Sequence, residues 1–426
     1  MRFDFLTVEA EVRGEKIHAR VGGLLGETVQ QYAEKFFNTL NSLKVIARRD
    51  GALVYNLYNP PQPTPAGMRA LLRKVKELVF KMPFPATANL AVTHKCQCRC
   101  VHCSADPFVD KARRELSTEE LKEVVDGALD LGANIVIFTG GEPILRPDLP
   151  ELIRYVDKSK AQVMIFTNGQ YLTEQKVKEL AEAGLATLNI SIDHVEPEVH
   201  DRLRGVRGLF DMAVQGARHA RKAGILTGIS TYATHENLAD GSLERLLAFA
   251  QQEGFNETTV FDCIPSGRFL KHTEYILSDA ERAKVIELCM RYHRMDHPMG
   301  VLCMSLINSP QGGGCFGAYS QFYMTAYGDI NPCDFNPISF GNVRDLPVQA
   351  IWHKMVSHPD FACRHLTCRM QTPSYRAKYI DVLPEDSKLP VPIEYYMHRE
   401  QGRTAGGDAP TPTTTAGTAE GARATG

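Results

Sequence analysis

The chain of 426 residues lacks several features that would place it in a specialised class of protein. It contains no uninterrupted apolar run long enough to cross a bilayer. Its first residues, MRFDFLTVEAEVRGEK, lack the basic start and apolar core of a secretory signal. Its formal charge is only −2, so no excess of positive charge predicts a nucleic-acid surface. These absences predict a cytoplasmic protein that binds no nucleic acid.

Cysteine, in contrast, is plentiful, with eleven residues. In a chain without an export signal, cysteines are expected as reduced thiols or metal ligands and not as disulfides. The apolar fraction of 43% and the charged fraction of 23% are ordinary for a folded protein. The length allows two or three domains.

From about residue 86, short β-rich runs alternate with longer amphipathic ones. The short runs are rich in Val, Ile and Thr and almost continuously apolar, as strands of a parallel sheet covered on both faces are. The six candidate strands are 89–94, 134–139, 162–167, 187–193, 225–231 and 258–264. Six β-α units are too few for a closed eight-fold barrel. We therefore expect an α/β fold, an open partial (β/α)6 barrel, with its active site at the C-terminal edge of the strands.

Helix signals punctuate the segments between these strands. Ser117 with Glu120 predicts a capping box at the start of one helix. Gly184 and Gly224 stand where the C-terminal ends of two other helices are expected, each just before the next strand.

The first 85 residues predict a small α+β module. We expect strands at 3–10 and 16–20, a helix near 27–41, a hairpin across 44–57 and a Pro-rich linker at 59–65. The next helix, 68–82, carries five basic residues: Arg69, Arg73, Lys74, Lys76 and Lys81. We expect this helix to dock on the barrel; the alternative is peripheral contact with an anionic membrane surface. After about residue 400, the Ala-, Gly-, Thr- and Pro-rich composition predicts a disordered tail.

The run CQCRCVHC at 96–103 carries the first chemical signal. Cys96, Cys100 and Cys103 have C-x3-C-x2-C spacing and directly follow the first predicted barrel strand. Three cysteines on a four-iron cubane leave one iron open, which is what a cluster needs to bind S-adenosylmethionine (SAM). Zinc is an alternative, because closely spaced cysteines also bind zinc. Cys98 is expected to be a bystander; the alternative is that it serves as a ligand in a different cluster geometry.

The second predicted strand ends in Gly140, Gly141, Glu142 and Pro143. Paired glycines let a backbone approach a ligand closely, and the proline fixes the exit of the chain. In order and separation, the cysteine triplet and this GGEP segment resemble the radical SAM superfamily. The resemblance implies a [4Fe–4S] cluster whose open iron is chelated by SAM, with the GGEP backbone binding the methionyl amino group. It leaves zinc as a remote alternative.

The same resemblance extends to the ends of later strands. It implies that Asn168, Ser191 and Asp193 line the SAM site. It also implies that Arg204, in the segment HDRLR, pairs with the SAM carboxylate. Arginine suits this role because its planar fork can donate two parallel hydrogen bonds to a carboxylate.

A second group of cysteines lies in the C-terminal third. Cys315, Gly328 and Cys333 form a C-x12-G-x4-C pattern, followed by GNV at 341–343 and IW at 351–352, which resembles the SPASM/Twitch extension of radical SAM enzymes. The resemblance implies one auxiliary [4Fe–4S] cluster. Its implied ligands are Cys315, Cys333, Cys363 and Cys368, and Cys303 is an alternative to either of the last two. Cys263 and Cys289 are expected as buried apolar residues.

Asp334 directly follows Cys333. The resemblance implies that it is a catalytic base, which takes a proton from the substrate radical as that radical is oxidised.

We expect four regions. They are an N-terminal module at 1–85, the barrel at 86–300, the auxiliary-cluster domain at 301–375 and a C-terminal extension at 376–426.

The resemblance implies reductive cleavage of SAM to a 5′-deoxyadenosyl radical that abstracts hydrogen from a substrate. The electron would come from a donor such as flavodoxin or ferredoxin. The leading hypothesis is an oxidoreductase or maturase of a peptide or of a cofactor precursor such as a tetrapyrrole. The alternatives are an enzyme that modifies a membrane lipid and a non-catalytic iron–sulfur scaffold or electron carrier.

Overall fold

The computed structural model describes residues 2–3, 6–23 and 26–397, so the tail predicted to be disordered lies outside the described residues. The N-terminal module begins with an antiparallel sheet and continues with a helix and a hairpin, in the predicted order. Its elements are β1 (Arg2–Phe3), β2 (Leu6–Arg13), β3 (Lys16–Gly22), α1 (Gly26–Leu40), β4 (Ala47–Arg49) and β5 (Ala52–Val54).

Helix α2 (Pro65–Phe80) begins earlier than the apolar pattern predicted. Thr64 caps it, because its side-chain oxygen accepts a hydrogen bond from the Gly67 N–H at 3.1 Å. Pro65 fits the first helical position because the missing N–H would have no partner there.

Two of the basic side chains of α2 face the barrel. Arg69 Nη2 lies 2.5 Å from the Leu129 carbonyl oxygen, and Arg73 Nη1 lies 3.1 Å from Asn134 Oδ1. Burial lowers the pKa of Arg73 to about 10. These contacts support a helix docked on the barrel.

The barrel sheet contains six parallel strands that neighbour one another in chain order. The strands are β6 (Thr87–Thr93), β7 (Ile135–Gly140), β8 (Gln162–Thr167), β9 (Thr187–Ser191), β10 (Leu226–Ala233) and β11 (Glu257–Asp262). Each overlaps the strand predicted for it. The open partial barrel is confirmed.

Helices cover the outer face of these strands. They are α3 (Thr118–Leu131), α4 (Leu149–Tyr155), α5 (Glu174–Glu182), α6 (Pro197–Arg204), α7 (Leu209–Lys222), α8 (His235–Ala239), α9 (Ser242–Glu253) and α10 (Asp279–Arg294). Ser117 and Glu120 form the predicted capping box. Gly184 and Gly224 have φ values of +91° and +78° just beyond α5 and α7, as helix ends of this kind require. No helix among the described residues is both long and apolar enough to cross a membrane.

The sheet continues beyond the six predicted strands at both edges. Strand β12 (Gly300–Cys303) pairs in parallel with β11, so the expected boundary at residue 300 falls inside a strand of the barrel sheet. At the other edge, β13 (Gln321–Met324) pairs in parallel with β6, and β14 (Ile330–Asn331) pairs with β13. The remaining elements are α11 (Met304–Ile307), β15 (Ile338–Ser339), α12 (Val348–Ser357), α13 (Pro373–Tyr379) and β16 (Val391–Pro392).

The N-terminal module closes the lower end of the barrel through the segment that follows β5. The Leu57 N–H donates to Glu257 Oε2 at 3.2 Å, and the Tyr58 hydroxyl accepts from Asn189 Nδ2 at 3.2 Å. Burial raises the pKa of the Glu257 carboxyl to about 8.

Trp352 on α12 attaches the C-terminal third to the barrel. Its side chain is buried, and its ring centroid lies 6.2 Å from that of Phe322 on β13. Its indole N–H donates to the Pro83 carbonyl oxygen at 3.1 Å. The Trp352 side chain therefore contacts both β13 and the segment that leads into β6.

We predict that Trp352→Ala lowers the free energy of unfolding by about 3–5 kcal/mol, because it removes a large buried ring and its hydrogen bond. Trp352→Phe keeps an aromatic ring but loses the indole N–H and part of the buried volume, and should cost about 1–2 kcal/mol. Trp352 is the sole tryptophan, so circular dichroism in urea is the suitable measurement. A loss below about 1 kcal/mol in the alanine variant would contradict this role for Trp352.

Candidate active site

The loop that follows β6 brings three predicted ligands to the C-terminal edge of the sheet. Cys96, Cys100 and Cys103 all line one cavity of about 1360 Å³. Cys96 is exposed, Cys103 is half-buried and Cys100 is buried. The Cys98 thiol lies between its neighbours, and its hydrogen bonds to Cys100 and Cys96 raise its pKa.

One side of this loop is tied to the end of α6. The Arg99 N–H donates to the Arg204 carbonyl oxygen at 3.0 Å, and the Val101 N–H donates to the Leu203 carbonyl oxygen at 3.0 Å. Two backbone hydrogen bonds therefore fix the residues on either side of Cys100.

The other side of the loop is tied to the turn after β11. The Arg268 N–H donates to the Cys103 carbonyl oxygen at 3.0 Å, and Arg268 Nη1 donates to the Cys100 carbonyl oxygen at 3.1 Å. A Cβ atom at Gly267 would lie 2.1 Å from the Cys103 carbonyl oxygen, so only glycine fits there. Arg268 stands in the Ser-Gly-Arg turn after the sixth predicted strand, but the sequence alone did not indicate that it binds the cysteine loop.

The paired glycines after β7 lie against the chain that leads into the cysteine loop. A Cβ atom at Gly140 would lie 2.0 Å from the Thr93 carbonyl oxygen, and one at Gly141 would lie 2.3 Å from the Lys95 carbonyl oxygen. Both glycines line the cavity. The pair is therefore required for close packing of two loops at the place predicted for SAM.

The Glu142 side chain has a structural role in the fold. Its carboxylate is buried and accepts hydrogen bonds from Thr167 Oγ1 at 2.7 Å, from the Asn168 N–H at 2.8 Å and from the Ile144 N–H at 3.1 Å. Burial raises its pKa to about 7. Glu142 thus joins the GGEP loop to the end of β8. Glu142 and Pro143 do not line the cavity themselves, so contact with a ligand falls to the glycines before them.

Asn168 presents a polar group to the cavity. Its side chain is 5% exposed, and its Nδ2 atom has no hydrogen-bond partner among the described residues. Ser191 also lines the cavity, at the end of β9. A buried amide that lines the cavity without a protein partner is available to donate to a bound ligand or a water molecule.

Arg204 forms a two-pronged ion pair with Asp193. Nε lies 2.6 Å from Oδ2, and Nη2 lies 3.0 Å from Oδ1. Although burial raises the pKa of Asp193, the charge of Arg204 holds it at about 2. The third nitrogen, Nη1, lies 3.9 Å from the Cys100 sulfur. The fork expected to bind the SAM carboxylate is thus engaged by a neighbouring carboxylate, and Nη1 points to the first cysteine group.

Three of the four predicted auxiliary ligands line the same cavity: Cys315, Cys333 and Cys368. Gly328, with φ +94°, lies in the turn between β13 and β14 that returns the chain to Cys333. Cys363 is exposed and does not line the cavity. Cys303 is buried outside the cavity.

Three consecutive glycines place Cys315 beside the segment that carries Cys368. The Cys315 N–H donates to the His365 carbonyl oxygen at 2.7 Å. A Cβ atom at Gly314, whose φ is +88°, would lie 2.3 Å from that same oxygen. Sequence reasoning missed this run, although GGG directly before a candidate ligand is a visible signal.

The residues present fit iron–sulfur clusters. Among the described residues, no group of three or more His, Cys, Asp or Glu side chains surrounds a single metal ion. A cubane, however, takes each thiolate on a different iron, so its cysteines surround a volume and do not meet at a point. Two sets of three cysteines on one cavity, with thiolates as soft ligands, match that requirement.

Comparison with known proteins agrees with this chemistry. The family model of the radical SAM superfamily matches residues 90–250, and that of the SPASM iron–sulfur cluster-binding domain matches residues 315–371. An Fe-coproporphyrin III synthase of Methanosarcina barkeri is 31% identical over 289 residues, which cover 61% of this chain and 72% of that protein. The chain belongs to the radical SAM superfamily. As a radical SAM protein with a SPASM domain, it carries [4Fe–4S] clusters and binds SAM.

Other radical SAM relatives differ in their products. An AdoMet-dependent heme synthase of Oleidesulfovibrio alaskensis is 29% identical, covering 62% of this chain and 73% of that protein. A PqqA peptide cyclase of Gluconobacter oxydans is 27% identical, covering 64% and 78%. The solved structure of Streptococcus suis SuiB bound to precursor peptide SuiA has a TM-score of 0.56 at 17% identity and covers 80% of each chain, which confirms the fold.

We predict that Gly314→Ala lowers the iron content of the anaerobically reconstituted protein, because the new methyl group would displace the backbone between Cys315 and His365. Gly224→Ala is the matched control: it also changes a glycine with positive φ, but nothing lies within 4 Å of its Cβ position. The control should cost about 1 kcal/mol and keep its iron. Equal iron in both variants would rule out a special role for Gly314.

Proposed function

We propose that the chain cleaves SAM at a cluster held by Cys96, Cys100 and Cys103 and removes a hydrogen atom from a cofactor precursor of the tetrapyrrole class. The observation that carries this proposal is a single cavity lined by both cysteine groups and by the residues expected to bind SAM. With SAM bound, the cluster supplies a one-electron cleavage of the sulfonium that generates the hydrogen-abstracting adenosyl radical.

The residues around the first cysteine group hold and orient SAM in this proposal. Gly140 and Gly141 line the cavity and present their backbone to the methionyl group beside the loop. Asn168 offers its partnerless Nδ2 as a donor, and Ser191 offers its hydroxyl. Asp193 holds Arg204 so that Nη1 is directed toward Cys100, where it can also meet the SAM carboxylate.

Asp334 is the proposed base on the auxiliary side of the cavity. It lines the cavity directly beside Cys333, and burial raises its pKa to about 6. Its carboxylate would accept a proton from the substrate carbon as the electron leaves toward the auxiliary cluster. A proton acceptor placed there would ease that oxidation.

The substrate class rests on the relatives. Two of them are named as synthases of Fe-coproporphyrin III and heme, which are iron tetrapyrroles, and the cavity of about 1360 Å³ is large enough for a molecule of that size. A peptide is the second candidate, supported by the PqqA cyclase relative. A membrane lipid is less well supported, because Arg69 and Arg73 on α2 bind the barrel. Flavodoxin or ferredoxin is the proposed electron donor.

We predict that the reconstituted protein, given dithionite and SAM under anaerobic conditions, releases 5′-deoxyadenosine, and that Fe-coproporphyrin III increases this release at least about tenfold. Liquid chromatography with mass spectrometry would measure both the nucleoside and any change in the porphyrin. Cys100→Ala should abolish the release, because the open-iron cluster needs all three thiolates.

A fully cluster-loaded protein that forms no 5′-deoxyadenosine would overturn the proposal in favour of a scaffold or electron carrier. Release that responds to a peptide and not to the porphyrin would select the second candidate.

We predict that Asp334→Asn lowers the ratio of modified product to 5′-deoxyadenosine by about 10²-fold, because the amide cannot accept the proton. Asp334→Glu keeps a carboxylate and should recover part of the ratio. An unchanged ratio in the Asn variant would show that proton transfer goes elsewhere.

A further inference from the structure

We propose that the auxiliary cluster is held by only three protein thiolates, those of Cys315, Cys333 and Cys368. Its fourth iron then faces the cavity and binds an anionic donor atom of the substrate. The inference deepens the proposed function and rests on it for the presence of a substrate. The ligand set itself can be tested independently.

The three cysteines surround one part of the cavity wall. A Cβ atom at Gly317 would lie 3.6 Å from both the Cys315 sulfur and the Cys333 Cβ. Cys315 and Cys333 therefore both lie next to Gly317. Cys315 and Cys368 are buried, at 8% and 7% exposure. The Cys315 N–H donates to the His365 carbonyl oxygen at 2.7 Å, three residues before Cys368, and all three cysteines line the cavity. The three residues therefore lie on one part of the cavity wall.

Cys363 is held on the outside by a buried arginine. Arg369 is 4% exposed, and its Nη2 atom donates to the Cys363 carbonyl oxygen at 3.1 Å and to the Asp360 carbonyl oxygen at 2.7 Å. Its guanidinium also lies 4.8 Å from the centre of the Phe361 ring. These contacts fix the backbone at 360–363, where the Cys363 side chain is exposed and does not line the cavity.

Cys303, Cys289 and Cys263 lie apart from Cys315, Cys333 and Cys368. Cys303 is buried on β12 beside Cys289, whose thiol donates to the Val301 carbonyl oxygen at 2.8 Å. Cys263 lines the cavity at the end of β11, where Glu236 and Asp262 are its charged neighbours. Neither joins the group of three.

A cubane with three cysteine ligands keeps one iron whose coordination must be completed by something else. Because the three thiols line the cavity, that iron would face the space proposed for the substrate. A carboxylate of the substrate is a suitable ligand, and its binding would place the reacting carbon at a constant position relative to the first cysteine group.

The ligand set can be tested in the full chain with Cys96, Cys100 and Cys103 all replaced by Ala, so that only the auxiliary cluster assembles. Cys363→Ala and Cys368→Ala are then added separately. They form a matched pair, because both remove a thiol from one short segment. We expect the Cys363 variant to keep about four irons per chain and an unchanged EPR spectrum, and the Cys368 variant to lose most of its iron. Comparable iron loss in both variants would overturn the proposal.

The open iron can be tested with ¹³C-labelled cyanide as the probe. The reduced auxiliary cluster should show a ¹³C hyperfine coupling, both with and without Cys363. A coupling that is absent, or that appears only after Asp334→Asn or Cys263→Ala, would overturn the proposal, because a protein ligand would then occupy the fourth iron. The background chain lacks the first cysteine group, so these results do not depend on whether the native chain cleaves SAM.

Discussion

The two-sided attachment of the Cys96–Cys103 loop is the constraint on which the site depends. A functional site is most effective when the backbone that carries its ligands is held in place by the surrounding structure. Here the N–H groups of Arg99 and Val101 donate to α6, while the carbonyl groups of Cys100 and Cys103 accept from Arg268. The loop is thus fixed by donors on one side and acceptors on the other. Arg204, which pairs with Asp193, lies at the same end of α6. The residue whose Nη1 is directed at the Cys100 sulfur therefore also binds the loop through its backbone carbonyl group.

Local signals in the sequence were sufficient to predict the six strands of the barrel. The six strands were predicted because each is a run of six or seven residues rich in Val, Ile and Thr between helices with clear ends. Strands β12, β13 and β14 were not predicted, because each has four residues or fewer and depends on pairing with another strand for its conformation. The early start of α2 was missed because Pro65 was counted with the linker, although proline is favoured at that position.

Within the site, spacing identified residues but not their partners. The cysteine groups and the paired glycines were visible in the sequence because their chemistry depends on closely spaced residues. The engagement of Arg204 by Asp193, the anchoring carboxylate of Glu142 and the entry of Tyr58 into the cavity all depend on packing between distant segments. The sequence leaves the choice between Cys363 and Cys368 open for the same reason, because no pattern of spacing reveals that Cys363 is exposed and that Cys368 lines the cavity.

The position of β6 between β7 and β13 has a consequence for how the protein matures. As the ribosome releases the chain, β6 has a partner along one edge only, until the segment from Gln321 onward emerges. The first cysteine loop therefore rests on an incomplete sheet during most of translation. Cofactor delivery before synthesis is finished would meet a half-formed binding site, so we expect iron loading to be a post-translational event.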